Sequence, residues 1–330
     1  MEEAPLISVI VPVRDGGAAF DRCLAALTPT LGDDCELIVV DDGSADDSAE
    51  RARSSGATVI RSPRSRGPGA ARNLGARSAR GEWLLFLDAD CEVLPDTIAV
   101  AADAARAGGR ERIDAIFGSY DDAPAASGVV ARYKNLIHHY VHQRSGATAT
   151  SFWAGCGAVR RETFLAVGGF DEARYPRPSI EDIELGYRLV DAGHRIRFTP
   201  GMMVKHLKAW TLPGLIRTDV RDRGIPWTEL MLSRGRIPDE LNVRWRERLS
   251  VAAAWVLILC LVGSLWRPGL LVAVAACGAW LLFAHRDLYR FFVRRGGVAF
   301  SLGALALHWL YLTYCGIAFL WGAARHARSG

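Results

Sequence analysis

Apolar residues come in two different patterns along this chain. Up to about Arg248 they form short runs separated by polar turns; beyond it they form long uncharged stretches. Ile7 to Val13 (ISVIVPV), Glu36 to Val40 (ELIVV) and Trp83 to Leu87 (WLLFL) are continuous aliphatic and β-branched runs. That is the pattern of strands covered on both faces. Thr58 to Ile60 reads as a short strand, and Ala18 to Leu27 as a helix. The turn Asp41-Asp42-Gly43-Ser44 caps a helix beginning near Ala45, and Arg66-Gly67-Pro68-Gly69 opens another through Arg72 and Leu74. Strand and helix alternate, so the fold class is α/β, with a mostly parallel sheet and flanking helices. Ligands bind such sheets at the carboxyl ends of the strands. Asp41, Asp42, Asp88 and Asp90 all fall there.

The pattern then loosens. Phe117 to Tyr120, Phe152 to Val159, Arg195 to Thr199 and Met203 to Leu207 read as strands. Val129 to Arg144, Glu162 to Val167 and Ile180 to Ala192 read as helices. His138, His139 and His142 lie on the first of these helices and read as surface or interface residues. Trp210 to Arg234 mixes Leu, Ile, Trp and Met with several Arg, an amphipathic stretch suited to a membrane surface.

Leu249 to Trp266, Leu270 to Ala284 and Val298 to Gly322 carry no charge. As helices, the first and third match a bilayer core of roughly 30 Å, and the second is short. Arg244, Arg246 and Arg248 precede the first run, and Arg286, Arg290, Arg294 and Arg295 follow the second. The positive-inside rule makes these two runs a hairpin with both ends cytoplasmic. The expectation is a multi-pass protein of the cytoplasmic membrane. Its domains would be 1–210 (catalytic), 211–248 (interfacial) and 249–330 (two or three transmembrane helices). The N-terminus has two acids, no basic segment and a proline in its apolar run, so it does not read as a signal peptide.

Composition narrows the function. Forty Lys and Arg against 36 Asp and Glu give a net charge of +4, with no basic stripe for nucleic acid. The seven Cys are scattered and form no CxxC, which argues against a disulfide framework or a zinc site.

The candidate chemistry is acidic. Asp88-Ala89-Asp90 follows a buried strand, and two carboxylates there can converge on one divalent cation. Hard oxygen ligands suit Mg²⁺ or Mn²⁺, which neutralises a diphosphate leaving group. Asp41-Asp42 offers acceptors for a base or ribose, and Arg66, Gly67, Gly69 and Arg72 offer backbone and guanidinium donors for phosphate. Glu181 and Asp182 open a helix, whose N-terminus favours their ionised forms.

In this order, ISVIVPVRD, ELIVVDDGSADDS, RGPGAARNLGA, GEWLLFLDAD, FWAGCGAVRRETFLAVGGFDE and SIEDIELGYRLVDAGHRI resemble the family 2 glycosyltransferases of bacterial, membrane-anchored type. The resemblance runs from about Leu6 to Leu207. It implies the GT-A fold, Rossmann-like, and inverting transfer of one sugar from a nucleotide donor, such as a UDP- or GDP-sugar. Pro12 and Arg14 would flank the base, and Asp41 and Asp42 would bind base or ribose. Arg66 and Arg72 would meet base or diphosphate. Asp88 would touch ribose or metal-bound water, and Asp90 would be the main metal ligand, with His206 a further one. Asp182, beside Glu181, would be the general base. Gly155 and Cys156 lie in the family's small-residue acceptor loop, and Trp227, assigned with them to the acceptor region, stands at the nearest match to the QxxRW of processive synthases. RDRGIPW lacks that pattern, which favours non-processive transfer. The apolar C-terminal part points to a lipid or lipid-linked acceptor at the cytoplasmic membrane face. Two alternatives are a nucleotidyltransferase, which should lack the GGFDE and ED segments, and a non-catalytic membrane scaffold, which should have lost the DAD or ED acids.

Overall fold

The computed structural model describes residues 4–144, 146, 148–239 and 241–329. Its chain falls into two compact units, Met1–Ala126 with His142–Lys208, and Ser127–Val141 with Ala209–Gly330.

The first unit is built on one sheet. The apolar runs become β1 (Ile7–Val13), β2 (Cys35–Asp41), β3 (Thr58–Arg61) and β4 (Trp83–Leu87). These four pair in parallel, in the order β3-β2-β1-β4. Then the sheet changes character. The rest of the sheet comprises β5 (Cys91–Val93), β6 (Ala115–Tyr120), β7 (Thr148–Ala149), β8 (Cys156–Arg160) and β9 (Ile196–His206). Strand β8 inserts between β4 and β6 and is antiparallel to both. Strand β9 runs parallel to β6 but antiparallel to β5 and β7. The sheet is therefore mixed rather than mostly parallel, because a returning strand fills the edge that a further crossover would have occupied. Apolar side chains from both faces of β1, β2 and β4 form the core, with Trp83, Phe86, Ile7 and Ile10 fully buried.

Local chemistry moves some boundaries. The helix expected near Ala45 starts at Ser48, because Asp46 and Ser48 hold a turn first: Oδ1 of Asp46 accepts from the Ser48 N–H and hydroxyl. Of the expected strand at Phe152 to Val159, only Cys156–Arg160 pairs. The two strands expected around Pro200-Gly201 are one, β9. Its neighbour β6 absorbs the irregularity by a register shift at Phe117/Ser119, where a Cβ on Gly118 would collide with the carbonyl oxygen of Met202. His142 is buried rather than superficial. Its ring packs edge-on to Phe117 and Trp153, and Nδ1 lies 3.1 Å from the Gly118 carbonyl oxygen.

The second unit is helical. Besides residues 127–141 it contains the helices Leu212–Arg217, Ile225–Ser233, Trp245–Gly263 and Leu271–Ala284, a wide π-turn at Thr218–Gly224, and Arg286–Ser329. That last helix breaks at Gly297 (φ 76°), a left-handed conformation that favours glycine. Tyr133, Leu136, Leu215, Leu288, Phe292 and Phe300 form its core. Lys134 and Asp219 form a buried ion pair at 2.6 Å, and Asp219 also accepts from the Tyr314 hydroxyl at 2.8 Å. The amphipathic stretch turns its apolar side inward. A Cβ on Gly322 would touch Ile225 and Thr228, which shows how closely that helix packs on the C-terminal one.

Among the described residues, one helix is long and apolar enough to cross a membrane, Arg286–Arg328, with mean hydropathy 1.4 over its best window. The expected hairpin of two spans is not supported. The helix that holds the first run, Trp245–Gly263, ends before the run does and carries Arg246, Glu247 and Arg248 in its first turns. The second, Leu271–Ala284, falls short of the roughly 20 residues a span needs.

Candidate active site

The carboxyl ends of β1, β2 and β4 carry the acids, and each is held differently. Asp41 is fully buried; Oδ1 accepts from the Ser44 N–H at 2.8 Å, and Oδ2 lies 3.1 Å from Arg61 Nε. It fastens the turn. Asp42 organises a second loop from beneath. Its two oxygens accept from the Ser65 hydroxyl and from the Arg66 and Gly67 N–H groups, at 2.8 to 3.1 Å. Gly67 is needed there. Its φ is +91°, and a Cβ would lie 2.4 Å from the Pro176 carbonyl oxygen. Arg14 reaches the same loop, donating to Ser65 Oγ at 3.0 Å. Pro12 pairs with Val40 in the sheet, and Arg66 is exposed and paired with Glu172 at 2.8 Å.

Arg72, expected to meet base or diphosphate, lies deeper than Arg66. It is buried, and both ends of its guanidinium are taken: Nη2 donates to Asp88 Oδ1 at 2.5 Å and Nη1 to Glu181 Oε1 at 3.2 Å. Burial opposes that charge, but the two carboxylates outweigh it and hold the guanidinium ionised. Glu181 also accepts from the Ser179 N–H at 2.8 Å. Two motifs 93 residues apart, Asp88 and Glu181, are thereby joined through one side chain (181 − 88 = 93).

A backbone segment makes the same connection. The Ala154 N–H donates to Asp182 Oδ2 at 3.2 Å, and the next residue's carbonyl, Gly155, accepts from the Asp88 N–H at 3.2 Å. Asp88, Asp90, Glu181 and Asp182 thus belong to one site. Gly155 and Gly157 are small for a reason inside the protein. A Cβ on Gly155 would lie 2.4 Å from the Trp153 ring, and one on Gly157 2.3 Å from the Trp153 carbonyl oxygen. Cys156 is fully buried opposite Leu87, and burial followed by the Asp88 charge pushes its thiol up to about 12. Trp227 lies in the second unit, half-buried in the helix Ile225–Ser233.

The cation question can be tested on the side chains present. Asp88 and Asp90 keep 32% and 38% of their side chains exposed, and their carboxylate oxygens lie within 4.8 Å of each other. His206 Nε2 lies 3.4 Å from Asp90 Oδ2, and its ring stacks on Tyr120 at 4.4 Å. Burial lifts the Asp88 carboxyl above its ordinary range; neighbouring Asp90 adds to this and Arg72 opposes it. Burial pushes Asp90 the same way, but the His206 hydrogen bond and charge, with Lys208, hold it below the ordinary range. Cys91 is the third group nearby, yet it is fully buried in β5 and its thiol is pushed well up by burial and by both acids. Sulfur is a soft ligand, poorly suited to a hard cation, so His206 is the fitting third donor. Two convergent carboxylates and an imidazole fit Mg²⁺ or Mn²⁺. Tyr120 and Trp153, which support His206 from behind, carried no sequence signal beyond being aromatic.

Residues 8–168 match the family model described as glycosyl transferase family 2. A pre-mycofactocin glycosyltransferase of Mycobacterium tuberculosis is 30% identical over 222 residues, covering 61% of this chain and 42% of that protein. The chain therefore spans less than half the length of that curated relative. The putative glycosyltransferase EpsH of Bacillus subtilis is 36% identical over 98 residues, covering 28% of each. Among solved structures, a mannosyltransferase from Pyrobaculum calidifontis, in complex with GDP-Man and Mn²⁺, superposes with a TM-score of 0.59 at 20% identity. That likeness covers 97% of this chain and 88% of the other. Glucosyl-3-phosphoglycerate synthase from Mycobacterium tuberculosis, in complex with Mn²⁺, UDP-Glc and phosphoglyceric acid, gives 0.52 at 23% identity, over 71% and 81% of the two chains. The first unit has the GT-A fold of these enzymes.

Proposed function

We infer the reaction from one premise: the chain is a glycosyltransferase of family 2, an enzyme that uses a nucleotide-sugar donor. Our reading is inverting, non-processive transfer of one sugar from a UDP- or GDP-sugar to a hydroxyl on a lipid or lipid-linked acceptor. The observation that carries it is the Arg72 bridge, which draws Asp88 and Glu181 into one site. The solved neighbours with Mn²⁺ and a nucleotide sugar support the donor class and the cation.

The residues divide the work. Pro12, Arg14 and the Arg66-Gly67 loop receive the nucleotide at the ends of β1 and β2, with Asp42 holding that loop from beneath and buried Asp41 fastening the turn beside it. Asp90, Asp88 and His206 would hold Mg²⁺ or Mn²⁺, which supplies charge neutralisation for the leaving diphosphate. Arg72, given to two carboxylates, positions them rather than meeting phosphate. Asp182 takes the proton from the acceptor hydroxyl. The acceptor oxygen bonds to the anomeric carbon as the bond to the diphosphate breaks on the opposite side, so the configuration inverts. The helix N-terminus favours the Asp182 carboxylate, and the Ala154 N–H fixes its orientation. Gly155 and Cys156 shape the wall near the acceptor by letting Trp153 pack.

Exposed apolar side chains of the second unit support membrane association. Leu259, Leu265, Trp266, Val272 and Leu302 are each 65% exposed or more. The test is a panel of nucleotide sugars incubated with membranes carrying the enzyme. Release of a nucleoside diphosphate with sugar incorporated into the lipid fraction supports this reading; release of pyrophosphate would favour nucleotide transfer instead.

A further inference from the structure

Three side chains of the second unit, none used in sugar transfer, converge from three helices. Glu247 lies in the first turn of Trp245–Gly263, His285 ends Leu271–Ala284, and His308 sits within Arg286–Ser329. One possible donor atom from each lies within 4.8 Å of the other two. His285 and His308 are 4% and 2% exposed, and their rings meet edge to face at 4.5 Å. His285 Nε2 is 3.8 Å from Glu247 Oε2.

Two buried imidazoles and a half-buried carboxylate, which Arg246 also meets at 3.5 Å, come together among apolar helices. The surrounding hydrogen bonds hold the rings in place. Nδ1 of His308 lies 2.9 Å from the Tyr289 hydroxyl, which also receives the Trp309 indole N–H at 3.1 Å. That leaves Nε2 of His308 as the nitrogen for an ion, with Tyr289 as the outer partner that ligating histidines usually have. Ser250 Oγ donates to the Arg246 carbonyl and sits 3.0 Å from His285 Nε2. Without a cation, His285 Nε2–H therefore donates to Ser250. With that hydrogen on Nδ1 instead, Nε2 carries a lone pair for an ion, 3.8 Å from Glu247 Oε2.

We propose that Glu247, His285 and His308 form a binding site for a divalent cation of the zinc class, which pins three helices of the second unit together. Two imidazoles and one carboxylate are a borderline donor set, unlike the oxygen-rich Asp88-Asp90 pair, so the two sites select different ions. Bonds of about 2.0–2.2 Å draw the donor atoms closer than they now lie. A water molecule or the Ser250 hydroxyl completes a tetrahedron.

The full chain in detergent, stripped by chelator, is titrated with Co²⁺, which reports tetrahedral nitrogen and oxygen ligands by its visible absorption. The Asp90→Ala variant serves as background, so that the catalytic cation does not contribute. The expected result is one tetrahedral Co²⁺ per chain, displaced by Zn²⁺, with a rise in unfolding temperature on loading. His308→Ala should abolish the absorption, and Glu247→Gln, which keeps shape and should fold normally, should weaken binding by about tenfold or more. Absence of tetrahedral absorption from the Asp90→Ala chain, or unchanged affinity in Glu247→Gln, overturns the site. Mn²⁺-dependent transfer that survives Asp90→Ala would instead contradict the catalytic cation and leave this site standing.

Discussion

Asp88 and Glu181 share one guanidinium, that of Arg72, at 2.5 and 3.2 Å. Arg72 is buried while Asp88 stays a third exposed, so the bridge has a dry end at Glu181 and a wet end at Asp88. The fork of an arginine can span two carboxylates, whereas a lysine is a point charge and cannot. Arg72→Lys should therefore leave one acid unsatisfied, and Arg72→Ala both. Removing one partner of a buried pair costs on the order of 3 kcal/mol, taken at the low end because of the exposed Asp88. Denaturant unfolding should show that loss. Assays should show a larger fall in kcat than a rise in donor KM, since the bridge positions the reacting groups.

The Asp88 carboxyl lies above its ordinary range, chiefly through burial, and Asp90 below its own. At the proposed cation site, protons should therefore compete at Asp88 first. As pH falls from neutrality, Mn²⁺ affinity should weaken before the pH near 4 at which ordinary carboxylates titrate. The sign for stability differs between the two. The raised Asp88 favours the fold below its folded pKa, and the lowered Asp90 contributes stability above its unfolded pKa and loses it as pH falls. Mn²⁺ titrations at several pH values read the affinity. Asp90→Ala should abolish metal-dependent transfer at every pH with the fold intact by circular dichroism.

Gly67 joins the Asp42 carboxylate to the Arg66-Gly67 loop with a positive φ and no room for a Cβ. Gly67→Ala should cost about 1–3 kcal/mol and raise donor KM with little change in acceptor KM. Donor and acceptor KM measured separately check this.

Cys156→Ala should retain most turnover, because its thiol is protonated and packed against β4. A stability loss of about 1 kcal/mol is expected from the small cavity.

Much of this was legible in residues that act locally. The runs at Ile7, Glu36 and Trp83 declared buried strands because β-branched and aliphatic side chains admit little else, and the acids at their ends fell where such sheets bind ligands. What was hidden depended on distance along the chain. Arg72 looked like a phosphate donor because nothing near it announces Glu181, 109 residues away. Strand β8 looked like a longer piece, and its antiparallel entry could not be read from its own composition. His142 looked superficial because its partners, Phe117 and Trp153, come from other elements. The stretch Leu249 to Trp266 looked like a span because an uncharged run does not reveal that its helix stops at Gly263.

The account rests on Asp182 working in the same cleft as Asp90. The most direct measurement is the Asp182→Asn enzyme, with donor affinity and single-turnover rate determined together. Donor affinity should stay within about twofold of wild type, while the transfer rate falls by about 10²–10⁴-fold. An unchanged transfer rate with intact donor binding would contradict it.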